Sequence, residues 1–202
     1  MIDSWEPRPA GGSATGPTTG PDDEQHLRHW MRRLLRRARQ VGDSGEVPVA
    51  AVVLDERGRC VGWGSNRRHR HQDPHGHAEI KAMAQAARSL GDWRLNRCTL
   101  VVTLEPCGMC AGAAIQSRVG RVVFAAADPK RGALGGCLDL AAHRSAHHHM
   151  LVWGGLEAEA ARAQLETWFR RRRLEQDQVR RRQPPPDGMP RVGTPAAPSQ
   201  TD

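Results

Sequence analysis

Two short segments of this chain, His77-Ala78-Glu79 and Pro106-Cys107-Gly108-Met109-Cys110, make chemical sense only if the fold brings them side by side. That requirement narrows the available folds more than any other feature of the sequence. Cys107 and Cys110 are spaced i, i+3, which on a helix sets their Cβ atoms about 5–6 Å apart on one face, within reach of one ion. A helix beginning just after Pro106 aims the positive end of its dipole at both sulfurs and favours thiolate over thiol. His77 adds a nitrogen donor. Three protein ligands of the Cys2His kind leave one corner of a zinc tetrahedron open for water, whereas structural zinc sites close it with a fourth protein ligand. Glu79 follows His77 by two residues, close enough to move protons beside such a metal without ligating it. On a regular helix, residues two apart diverge by about 200°. Sharing one site therefore requires an irregular helix start or a bent approach of the two side chains.

Each part alone has a blander meaning. A lone C-x-x-C is often half of a four-ligand clip or a redox pair, and a lone histidine is usually a surface or core residue. The combination H-x-E followed by P-C-x-x-C is far more specific, being the form found in zinc nucleobase deaminases. Beyond that signature, Glu46-Val47-Pro48-Val49, Asn66, Asp73-Pro74, His77-Ala78-Glu79-Ile80, the run from Thr103 to Ala113, and Arg118-Val119-Gly120-Arg121-Val122-Val123-Phe124 resemble the bacterial tRNA-specific adenosine deaminases. The resemblance covers roughly residues 25 to 175 in order.

That resemblance implies a cytidine-deaminase-like fold, a three-layer α/β/α sandwich around a central mixed sheet. It implies a homodimer that hydrolyses the wobble adenosine of a tRNA anticodon stem-loop to inosine. It also implies one zinc per subunit on His77, Cys107 and Cys110, with Glu79 as the catalytic acid and base. Asn66 matches the base-binding asparagine, Asp128 and Lys130 match residues that approach the nucleic acid, His147 matches a histidine of the family, and Phe169 matches an aromatic that contacts the anticodon loop. Bland readings stand beside these: a turn residue for Asn66 and a loop salt bridge for Asp128 and Lys130. The chain departs from the family at Ala146, where an asparagine is usual, at Ala50, commonly glycine, and at Gly136, commonly serine.

Taken in order, residues 1–21 are rich in Gly, Pro, Ser and Thr and are expected to form a disordered leader, since they bury too little surface to offset ordering entropy. Residues 22–182 are expected to form the zinc-dependent deaminase domain, and the Pro-rich residues 183–202 a disordered tail. Leu27, Trp30, Met31, Leu34, Leu35, Ala38 and Val41 recur at helical spacing behind Asp22-Asp23-Glu24. The opposite face of that helix is arginine-rich. Residues 48–54 and 59–63 read as a hairpin about the turn Asp55-Glu56-Arg57-Gly58, 64–76 as a polar loop and 77–90 as a helix closed by Gly91. Strands are expected over 99–104 and 122–126, a loop over 127–139, and a helix over about 156–182. Strands alternating with helices point to an α/β sandwich. The His-rich stretch 143–149 could suggest a second metal, but a His-rich tract is only a compositional signal and a loop is the simpler reading. Trp168 and Phe169 are adjacent on the last helix, so Trp168 is expected to pack and Phe169 to face outward, followed at once by Arg170 to Arg173.

The net charge of +8 comes almost wholly from arginine, lysine occurring only at Lys81 and Lys130, and favours a polyanionic partner. Five cysteines, two of them assigned to metal, argue against a disulfide framework and for a reducing compartment. Cys60, Cys98 and Cys137 read as ordinary buried or half-buried thiols. No stretch reaches the about 20 apolar residues of a membrane span, and the N-terminal sequence lacks the apolar run of a signal peptide. A cytoplasmic protein is expected. Two other functions fit parts of the pattern: deamination of a free purine or nucleoside such as guanine, and a zinc-stabilised RNA-binding module without catalysis. The arginine-rich helices and Trp168-Phe169 weigh against the first, and Glu79 against the second.

Overall fold

The computed structural model describes residues 21–182. The expected leader, apart from Pro21, and the expected tail lie outside the described residues. The elements run α1 (Pro21–Asp43), β1 (Ala50–Leu54), β2 (Cys60–Ser65), α2 (Arg68–His71), α3 (Ala78–Leu90), β3 (Thr99–Leu104), α4 (Gly108–Gln116), β4 (Arg121–Ala126), β5 (Leu151–Gly154) and α5 (Ala158–Arg182). Proline suits the first turn of α1, where its missing N–H has no intrahelical partner. Contacts divide the chain after Trp168, so α5 begins in one compact unit and continues from Phe169 into a second. The described part of that second unit is the remainder of the helix.

One sheet carries the first unit, in the order β2-β1-β3-β4-β5. β1 runs antiparallel to β2 and β3, while β3, β4 and β5 are mutually parallel. The tight link between β1 and β2 is held by Asp55, whose Oδ1 accepts the N–H groups of Arg57 and Arg59 at 3.0 and 2.9 Å. Parallel β3 and β4 need a crossover, which α4 supplies. Side chains alternate between the two faces. Leu100, Val102, Val122 and Phe124 join Ala82, Met83, Ala86, Ala111, Ala114 and Ile115 in one core cluster, roofed by α3 and α4. Val52, Leu54, Val101 and Val123 join Leu27, Met31, Leu34, Ala38 and Ala161 in the other, roofed by α1 and the start of α5. β1 and β4 are buried along their whole length, which is why they read as unbroken apolar runs. This is the expected three-layer sandwich with a mixed sheet.

α3 lies unusually close to β2. A Cβ at Gly62 or Gly64 would meet the carbonyl oxygens of Ala82 and Ala78, so both positions require glycine for the helix to seat at this height.

Three details differ from the sequence reading. β5 was not expected: its four residues are half-buried or buried and too few to show a period, and it is pairing with β4 that makes them a strand. Within the expected polar loop 64–76, Gly64 and Ser65 complete β2, and Arg68–His71 form one helical turn anchored where the Arg70 N–H donates to the buried Glu46 Oε1 at 2.8 Å. Among the remaining thiols only Cys98 is buried. Cys60 and Cys137 are exposed, because the first opens an edge strand and the second lies in the loop after Gly136. Among the described residues no helix is long and apolar enough to cross a membrane.

Arg121, 6% exposed, fastens α1 to the sheet. Its guanidinium donates to both carboxylate oxygens of Asp23, at 2.5 and 3.1 Å, and its Nε donates to Thr99 Oγ1 at 3.1 Å. Asp23→Ala should destabilise the fold by about 2–4 kcal/mol, since it leaves a buried cation without its partner. Urea unfolding checks this, and an unchanged midpoint would show that water replaces the carboxylate at no cost.

Candidate metal centre and active site

His77 and Cys107 both sit where extended chain turns into helix. His77 is the N-cap of α3, with φ −82° and ψ 148°, and Cys107 is the N-cap of α4, with φ −70° and ψ 173°. The extended backbone at His77 takes its ring out of helical phase with Glu79, in the first turn of α3. The irregular helix start thereby meets the angular demand of the H-x-E spacing. No side chain of α3 caps its own N-terminus. The Ala78 N–H is taken instead by Asn66 Oδ1 at 3.1 Å, one of the four donors every helix start leaves open.

The Nδ1 of His77 lies 3.7 Å from Cys107 Sγ and 3.4 Å from Cys110 Sγ. The three donor atoms are all within 4.8 Å of one another, the sole cluster of its kind among the described residues. The His-rich stretch 143–149 forms no such cluster. In it the His148 ring nitrogen Nε2 is hydrogen-bonded to the Val119 carbonyl at 2.8 Å.

Electrostatics follow from this crowding. A hydrogen bond from the Cys110 thiol, and then one from the His77 ring, lower the Cys107 thiol to about 3. Cys110 moves upward, because its proton is held on the Cys107 thiolate and because it is buried. His77 is raised, chiefly by its hydrogen bond to Cys107. Ligation by both sulfurs requires thiolates, so metal binding would release the protons the thiols carry. Glu79 is 4% exposed. Burial raises its carboxyl above the ordinary range. Nitrogen plus two sulfurs at this spacing fits zinc, with room for one further ligand.

The other expected site residues are placed as follows. Asn66 is 8% exposed and adjoins the turn at His77 through Ala78. Asp128 Oδ1 accepts the N–H groups of Lys130 and Arg131 at 3.0 and 3.1 Å, so that oxygen shapes a turn, and the Lys130 side chain is exposed. His147 is exposed and lines a cavity of about 170 Å³ with Gly112, Ile115, Leu140, Ser145 and Ala146. Trp168 is half-buried and donates its Nε1–H to the Gly42 carbonyl at 3.0 Å, whereas Phe169 is 43% exposed. The sequence reading gave no role to Glu105. Its signal was a carboxylate standing between a buried strand and the ligand motif, where an isolated charge is costly.

Comparison with known proteins places this arrangement. Residues 25–157 match the family model of the MafB19-like deaminases. The chain is 41% identical over 145 residues to the tRNA-specific adenosine deaminase of Haemophilus influenzae, which covers 72% of this chain and 84% of that protein. It is 42% identical over 176 residues to a tRNA(Ile)-lysidine synthase of Deinococcus radiodurans, 87% of this chain but 28% of that protein, so it spans little more than a quarter of that relative's length. Among solved structures, a tRNA:A34 deaminase studied for A-to-I editing at the wobble position superposes with TM-score 0.65 and 36% identity, over 67% of this chain and 98% of that one. A guanine deaminase from Nitrosomonas europaea superposes with TM-score 0.59 and 27% identity, over 78% of this chain and 98% of that one. With the MafB19-like deaminase model spanning more than half of it and most of a 41% identical relative aligned to it, the chain belongs to the family of the tRNA-specific adenosine deaminases.

Proposed function

We propose that this chain is a zinc-dependent hydrolase that converts adenosine to inosine at the wobble position of a tRNA anticodon. The observation that carries the reading is the convergence of His77, Cys107 and Cys110 beside the buried carboxyl of Glu79. His77, Cys107 and Cys110 would hold one zinc per chain, and bound there it supplies Lewis-acid activation of water near neutral pH. Glu79 moves the protons. Its carboxylate takes one from the attacking water and delivers it to ring nitrogen N1 of the adenine; it then takes the proton of the hydroxyl added at C6 and passes it to the exocyclic amine, so that the C6–N6 bond breaks, ammonia leaves and the carbonyl of inosine forms. Burial suits it to this task, because a carboxyl raised toward neutrality gives up and regains a proton more evenly.

Asn66 would orient the base. With Oδ1 engaged by the Ala78 N–H, its amide NH2 is left to donate to an acceptor on the purine. Asp128 and Lys130 would meet the nucleic acid from the loop after β4, and His147 from the loop before β5. The action on tRNA goes with a cytoplasmic location, and the family's homodimer is proposed for this chain too.

The guanine deaminase likeness gives a second reading with the same chemistry on a free base. Incubation of the zinc-loaded protein with an anticodon stem-loop, free adenosine and guanine separates them. Inosine formed in the RNA supports the first reading, and xanthine from guanine without RNA editing supports the second.

Phe169 would stack on an unpaired base of the anticodon loop, and Arg170 to Arg173 would attract its phosphates. Base stacking on an aromatic contributes about 1–3 kcal/mol, so Phe169→Ala should weaken stem-loop binding roughly 5- to 150-fold. Binding is measured at two salt concentrations, because the arginine part is salt-dependent and the stacking part much less so. Unchanged binding and turnover by a folded, zinc-loaded variant would remove this helix from recognition.

A further inference from the structure

Glu105 sits between the end of β3 and Pro106-Cys107, and it is 2% exposed. Its carboxylate is met by main-chain donors. Oε1 accepts the N–H groups of Leu134 and Gly136 at 3.0 and 2.8 Å, and Oε2 accepts that of Asp128 at 2.9 Å. All three donors belong to the loop that leaves β4. Two glycines give the carboxylate its room, since a Cβ on Gly132 or Gly136 would land on it. The main chain adds a second tie: the Ala133 N–H donates to the Pro106 carbonyl at 2.9 Å, and Cys107 pairs with Gly132 in an isolated bridge.

We propose that Glu105 is a positioning residue that locks the loop 128–136 to the N-terminal end of the helix carrying Cys107 and Cys110. The proposal rests on the deaminase reading, in which that loop bears the substrate-facing Asp128 and Lys130. A carboxylate is the one common side chain that offers two acceptor oxygens and no donor, so it can gather N–H groups from both ends of one loop. Charge assistance makes each of these bonds stronger than a neutral one. Substrate loop and metal ligands then move as one body, and the nucleotide is presented to the ligands in a fixed register. Gly136 belongs to the same device. Any other residue there would carry a Cβ, and the Glu105 carboxylate and the Asp128 carbonyl occupy that space.

Glu105→Gln isolates the effect. The amide keeps one acceptor oxygen and turns an NH2 group toward N–H donors that had an acceptor. In the full-length, zinc-loaded variant, amide exchange at one end of the loop, Asp128 or Leu134 and Gly136, should quicken about tenfold or more. Zinc content should hold, KM for an anticodon stem-loop should rise about tenfold, and kcat should fall by less than KM rises. Gly136→Ala presses on the same contact from the loop side and should repeat this pattern, which covers the case in which Glu105→Gln does not fold. Unchanged exchange and KM in a folded, zinc-loaded variant would overturn the proposal. So would loss of zinc with KM unaltered, which would make Glu105 a support of the metal centre alone. If the wild type forms neither inosine nor xanthine from an anticodon stem-loop, free adenosine or guanine, the deaminase reading falls, and the exchange rates by themselves decide whether Glu105 holds the loop.

Discussion

Glu79→Ala is expected to retain its zinc and to deaminate about 10³- to 10⁴-fold more slowly than the wild type, the upper part of the range for loss of a general acid and base. The size follows from the double duty of this carboxyl, which handles the proton of the water and that of the leaving amine. Its side chain is buried at the first turn of α3, where a carboxyl is costly to desolvate. Stability should therefore change little, and removal of a desolvated acid can even raise it. Glu79→Gln offers a closer match in shape and should be about as inactive. The measurements are zinc per chain and single-turnover inosine formation. Zinc loss in Glu79→Ala would make it a ligand, and turnover near the wild-type rate would place proton transfer elsewhere.

Cys107→Ala should bring the zinc content from about one per chain to nearly none, and activity with it. Removing one of three donors leaves a His–Cys pair that holds zinc weakly. A second consequence is thermodynamic. A ligand that binds only the folded chain stabilises it by about 2.7 kcal/mol at a hundred times its Kd. Chelation should thus lower the wild-type Tm, whereas the variant should start low and ignore the chelator. Full zinc occupancy in Cys107→Ala would sink the ligand assignment.

Much of the fold was legible because local pattern and tertiary role agree. The α1 stripe from Leu27 to Val41 and the apolar runs of β1, β3 and β4 each announce the surface they bury. β5 was illegible, since Leu151–Gly154 is short and owes its strand conformation to its neighbour β4. At the site, residue types and spacing marked His77, Glu79, Cys107 and Cys110, and the one geometric question that spacing left open was answered by backbone angles at a single residue, His77. Asn66 and Glu105 illustrate a different limit. Asn66 holds the first turn of α3 and Glu105 gathers three N–H groups from a loop far along the chain, relations that no local pattern encodes. The exposure of Cys60 and Cys137 was hidden for the same reason, because cysteine's usual burial says nothing of edge strands and loops.

The three donors that would hold a metal ion are divided between two helix starts, His77 at one and Cys107 with Cys110 at the other. Neither helix alone can bind an ion firmly, and the two meet only when each is docked on the same side of the finished sheet. A compact state that kept its helices but lost their docking would offer at most two donors at any one place. Metal occupancy in this protein therefore distinguishes native packing from mere helix content, and the ion, where bound, strengthens the tertiary structure rather than either helix by itself.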